Sequence, residues 1–111
     1  MKVLKKDLEM MRGDTFKIHI KFEKTDPDSV TELILSVKKS KADTEYALQE
    51  KLSNGGTALQ DDGSFVIRIA PEDTEDLEPG DYVYDVESHI DDIDVYTLMH
   101  GKLTIQEDVT R

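Results

Sequence analysis

Leu77-Glu78-Pro79-Gly80-Asp81-Tyr82-Val83-Tyr84-Asp85-Val86 is a tight corner that feeds a strand. Pro79 holds its own φ at roughly −65°. Gly80 enters positive φ without steric cost, so the chain reverses there. Tyr82 then stands at the mouth of the strand, where its ring enters a core and its hydroxyl reaches back to the turn. That is the tyrosine corner of two-sheet sandwiches. Leu77, Pro79, Gly80 and Tyr82 are therefore the predicted structural corner.

Alternation with period two extends in both directions from this corner. Phe16, Ile18, Ile20 and Phe22 share one face of a strand, and Lys17, His19, Lys21 and Glu23 share the other. Gly13-Asp14 separates it from a shorter strand around Leu8 to Met11. Leu33, Leu35 and Val37 repeat the pattern, as do Phe65, Ile67 and Ile69 after the Asp61-Asp62-Gly63-Ser64 turn. Residues 44–52 fit an edge strand carrying Tyr46, Leu48 and Leu52. Helical spacing also fits there, and the strand is the preferred reading. Pro71 to Leu77 reads as a single helical turn, with proline at its start and carboxylates at the positive end of its dipole.

Strand register favours apolar residues facing apolar residues. The last hairpin turns at Asp91-Asp92-Ile93-Asp94, and a two-residue loop sets Val86 opposite Met99, Tyr84 opposite Gly101 and Tyr82 opposite Leu103. Asp92-Ile93 is not a favoured two-residue turn, so a longer loop with a bulge stays open. The tail is 107–111. About seven strands at this spacing predict an all-β fold. It is an immunoglobulin-like, two-sheet antiparallel β-sandwich in one domain, residues 1–111, with a helical turn before the penultimate strand.

The net charge is −11, from 14 basic and 25 acidic residues. Nucleic acid and anionic membranes both attract basic surfaces, so neither is an expected partner. No cysteine is present, which removes disulfides, thiolate catalysis and sulfur-ligated metals. Met1-Lys2-Val3-Leu4-Lys5-Lys6 lacks the apolar run of a signal peptide, so secretion by that route is not expected.

Catalytic chemistry has no foothold in these patterns. His19, His89 and His100 fall on different strands at unrelated spacings, without a metal-ligand pair or a nucleophile beside them. Asn54-Gly55-Gly56 lacks the lysine and following helix of a phosphate loop. Aspartates cluster at Asp26 and Asp28, at Asp61 and Asp62, and at Asp91, Asp92 and Asp94. Turn formation explains them, and a calcium ion in one such loop stays an open alternative. The expectation is no enzyme, no cofactor and no small-molecule substrate. Ile34, Val66, Val83, Tyr96 and Leu98 fall on the parity opposite the core residues, and together they are the candidate protein-contact surface.

The same residues resemble small immunoglobulin-like proteins of phages and prophages, particularly tail and baseplate components. The matching pieces are Gly13-Asp14-Thr15, Leu35 through Ser40, Asp62-Gly63-Ser64, Ala70 through Thr74, Leu77 through Val86, Thr97, Gly101 through Ile105, and Asp108-Val109-Thr110-Arg111. They cover almost the whole chain and mark turns and strands. The chain is most similar in pattern to the N-terminal domain of baseplate upper proteins, without a helical stalk or receptor-binding head after Arg111. The resemblance implies a structural or accessory virion protein that contacts other virion proteins or itself. It would be made in the host bacterial cytoplasm during assembly and then built into the particle. Two other roles compete with it. One is a carbohydrate-binding module, for which Tyr96 is the expected outward aromatic. The other is an acidic inhibitor of a basic host protein.

Overall fold

The computed structural model describes residues Val3 to Val109. Met1 and Lys2 lie outside them, as do Thr110 and Arg111 of the C-terminal motif. Nine strands form among the described residues: β1 (Leu4–Lys5), β2 (Leu8–Met11), β3 (Phe16–Ile20), β4 (Val30–Lys38), β5 (Leu48–Lys51), β6 (Thr57–Leu59), β7 (Phe65–Ile69), β8 (Gly80–Ile90) and β9 (Asp94–Gln106). A 3-10 turn covers Pro27–Ser29, and the helical turn α1 covers Pro71–Thr74. The larger sheet runs β1 and β2, β9, β8, β4, β5, and the smaller runs β3, β7, β6. The two sheets make the expected immunoglobulin-like β-sandwich.

The alternation read in the sequence places the core. Leu33, Leu35 and Val37 from β4 meet Phe65, Ile67 and Ile69 from β7, with Tyr82, Tyr84 and Val86 from β8 and Met99, Leu103 and Ile105 from β9. Burying each large aliphatic side chain contributes about 1.5–3 kcal/mol, so this interior is the main source of stability. The corner forms as expected. Gly80 has φ 142°, Leu77 packs against the core, and the Tyr82 hydroxyl donates to the Glu78 carbonyl at 2.7 Å. Lys39 Nζ sits 4.5 Å from the centre of the Tyr82 ring. In α1, the Asp73 carboxylate accepts from the Ala70 N–H at 2.9 Å, which closes the start of the turn.

The N-terminal strands depart from the antiparallel expectation. Both β1 and β2 pair with β9 in parallel, at one continuous register from Leu4 opposite Met99 to Met11 opposite Gln106. The ladder breaks at Lys6 and Asp7. There the Asp7 carboxylate replaces a backbone acceptor for the Lys102 N–H, and the Tyr84 hydroxyl donates to the Lys6 carbonyl. Burial, then the nearby Asp7 charge, pushes the Tyr84 hydroxyl up to about 12. The Lys6 carbonyl occupies the space a side chain at position 101 would need, since a Cβ there would lie 2.2 Å from it. Gly101 therefore answers to the crossing strand, and not only to the tyrosine opposite it.

Residues 48–51 form the preferred edge strand, with Leu48 and Glu50 facing inward. Tyr46 precedes that strand, and it is exposed. Within the tail expected at 107–111, Asp108 is buried, and its carboxylate accepts from Arg12 Nε at 2.9 Å.

Candidate protein-contact surfaces

The β8–β9 hairpin ends in a turn whose backbone is set by two aspartates. Asp91 and Asp92 hold φ at 53° and 59°, and the Ile93 N–H donates to the Ile90 carbonyl at 3.0 Å. Two consecutive left-handed residues closed by that bond make a type I′ turn, which glycine or asparagine usually fills. The next pairing is Ile90 with Asp94, so the loop spans three residues and shifts the register by one. The shift is absorbed between Val86/Met99 and Glu87/Thr97, where Leu98 is the extra residue. The register expected for Val86, Tyr84 and Tyr82 holds below the bulge. The longer-loop alternative holds above it.

This bulge changes where two of the predicted contact residues lie. Tyr96 pairs with Ser88, which is fully buried, so Tyr96 belongs to the core-side face of the hairpin. Leu98 packs against the core. Val66 pairs with His19 and Ala58 on the outer face of the smaller sheet. Only Ile34 and Val83 share a surface, the outer face of the larger sheet. The five residues therefore form no single patch. The physical reason is a one-residue phase change in β9, together with a sheet assignment that alternation alone does not fix.

The hairpin tip carries the more prominent apolar surface. Ile93 is 79% exposed and Val95 55%, while Tyr96, the next residue of β9, points to the opposite face from Val95. Asp91, Asp92 and Asp94, all exposed, are the neighbours of Ile93 and Val95 in the sequence. The tip is braced from below: the Asp91 N–H donates to the Ser29 carbonyl at 2.8 Å and the Asp92 N–H to Thr31 Oγ1 at 3.3 Å. Thr31 Oγ1 in turn donates to the His89 carbonyl at 3.2 Å. The Pro27–Ser29 turn behind them is capped by Asp26, whose carboxylate accepts from the Asp28 N–H at 3.0 Å. The turn that presents Ile93 is thus held with two aspartates in the left-handed region by its neighbours, and such backbone is a pointer to a contact site.

The outer face of the larger sheet is a shallow groove of about 720 Å³. One row of side chains crosses five strands in register: Gln49, Ser36, Asp85, His100 and Lys5. Gln49 Nε2 donates to Ser36 Oγ at 2.9 Å. Ile34 and Val83 supply apolar floor on either side of that row, and Tyr46 stands at the rim with Lys38 Nζ 4.8 Å from its ring centre. Four lysines line the groove (Lys5, Lys38, Lys41 and Lys102) against three carboxylates (Asp7, Asp85 and Glu87), the reverse of the 14-to-25 balance of the chain. Glu87 is engaged by His89 Nε2 at 2.9 Å, and Asp7 by the Lys102 N–H. Burial, then the Glu87 charge, raises the Asp85 carboxyl, while Lys38 and His100 oppose that shift.

The remaining aspartate loops are occupied by turn formation. Asp62 accepts from the Ser64 N–H at 3.0 Å and from Ser64 Oγ at 2.6 Å, bonds that hold its carboxyl below the usual range. Among the described residues, no group of three or more His, Asp or Glu side chains is placed to hold a metal ion. No described helix is long and apolar enough to cross a membrane. Sequence reasoning missed Glu50, whose inward position is signalled only by its parity with Leu48.

Sheet order and corner define the class, an immunoglobulin-like β-sandwich whose exposed features are a hairpin tip and a sheet-face groove. No protein-family model and no curated protein matches the chain. Among solved structures it is similar to the crystal structure of CopC from Methylosinus trichosporium OB3b, with a TM-score of 0.51 and 14% identity over 95% of this chain and 88% of that one. At that identity the likeness shows the fold alone.

Proposed function

We propose that the chain is a non-enzymatic structural or accessory component of a phage or prophage particle, in the tail, baseplate or capsid decoration, acting by protein–protein contact. It is made in the host cytoplasm and then incorporated. The observation that carries this reading is the braced hairpin tip, with Ile93 79% exposed among three aspartates. A rigid apolar protrusion loses little conformational freedom on docking, which is what a contact element needs. The sequence resemblance supplies the particle, and the tip supplies the means of contact.

Mass spectrometry of purified particles from an induced host tests the assignment. The protein is expected at a fixed copy number per particle. Its absence from particles, with the protein present in the same lysate, contradicts the assignment.

A further inference from the structure

We infer that the hairpin tip of one copy docks in the outer-face groove of a second copy, so that the protein self-associates head to tail. This deepens the contact reading above by naming the partner. It needs the tip to be a contact element, but it does not need the particle.

The two surfaces complement one another in chemistry. The tip offers Ile93 and Val95, interleaved in the sequence with Asp91, Asp92 and Asp94, all exposed. The groove offers an apolar floor at Ile34 and Val83, with Lys38, Lys41 and Lys102 around it. In a chain of net charge −11, most of the surface repels a second copy. In the groove lysines outnumber carboxylates beside an apolar floor, so an acidic tip with apolar side chains is attracted there. Lys102 Nζ lies 3.8 Å from Asp81 Oδ2, so Lys38 and Lys41 are the groove lysines that would meet the tip.

Geometry sets the kind of assembly. Tip and groove are different patches, so their contact is heterologous, and repetition gives a ring if the rotation closes or a filament if it does not. The ribbon carrying the tip continues β8 and β9, whose outer side chains line the groove, so a tip does not fold back into its own groove. A knob of two apolar side chains, Ile93 and Val95, is small beside a stable interface of about 1,200–2,000 Å². The association is therefore weak in dilute solution and strengthens where many copies are held together. Carboxylate–lysine contacts at an exposed rim are also screened by salt.

Sedimentation velocity on the purified chain tests this. The wild type is expected to show a weight-average sedimentation coefficient that rises with protein concentration at ~0.05 M salt and rises less at ~0.5 M. Ile93→Asp at the tip and Lys38→Glu in the groove are each expected to weaken self-association at least tenfold. Circular dichroism and the thermal midpoint establish that both variants remain folded, and Lys41→Glu serves if Lys38→Glu does not. Mixing the tip variant with the groove variant leaves one intact tip and one intact groove, so a dimer forms and grows no further. A wild type that stays monomeric at every concentration overturns the inference. So does self-association untouched by either variant, or a mixture that forms no dimer. A monomeric chain found in particles would leave the virion role standing and remove only the head-to-tail contact.

Discussion

Tyr82 closes the corner by donating its hydroxyl to the Glu78 carbonyl, four residues upstream, at 2.7 Å. Its ring is buried, with Lys39 over one face. Tyr82→Phe keeps the ring and deletes the bond, leaving the carbonyl without that donor. The expected loss is about 0.5–1.5 kcal/mol in chemical denaturation. An unchanged midpoint would mean that ring burial alone sets the corner.

Gly101 is fixed by the Lys6 carbonyl crossing it. A Cβ at 2.2 Å from that oxygen forces the N-terminal strands away from β9. Gly101→Ala is expected to cost about 1–3 kcal/mol, the range for overpacking. It should also speed hydrogen exchange at the Lys6 and Lys102 amides, whose bonds flank the crossing. Unaltered exchange at those two amides would contradict this account of the glycine.

Glu50 is 7% exposed, and its Oε2 has no hydrogen-bond partner. Burial first, then Asp73, push its carboxyl up to about 8; Arg68 from β7 opposes this and Glu72 from α1 adds to it. Between the ordinary value of 4.5 and about 8 the folded chain keeps a proton that the unfolded chain has lost. Stability therefore falls as pH rises through that interval and levels off above it. Glu50→Gln removes this slope, so the wild type should lose several degrees of thermal midpoint, relative to the variant, from pH 5 to pH 8. Parallel pH profiles for the two proteins would show that the carboxyl is already ionised when folded.

The parts of the fold legible in the sequence are those where one face of a strand packs and the other does not. Phe16 to Ile20, Leu33 to Val37, Phe65 to Ile69 and Tyr82 to Val86 alternate because the pleat puts neighbours on opposite sides. The pairing of Tyr84 with Gly101 followed from matching apolar residues. The extra residue at Leu98 was not legible, because a bulge leaves composition unchanged and moves only the phase. Val66 was misplaced relative to Ile34 and Val83 because sheet membership is a long-range property. The strand around Leu8 to Met11 was legible, but its parallel pairing with β9 was not, and β1 is only two residues long, too short for any periodicity to announce. Tyr46 and the lysine-lined groove needed the strand order before they could be seen as one surface.

The account rests on contact through the hairpin tip, and Ile93 is the residue that tests it most directly. Complementation of a host strain with the Ile93→Asp protein, followed by quantification of the chain in purified particles, separates folding from docking. The account predicts a variant with a wild-type melting temperature whose copy number per particle falls at least tenfold. Incorporation of Ile93→Asp at the wild-type level would contradict it.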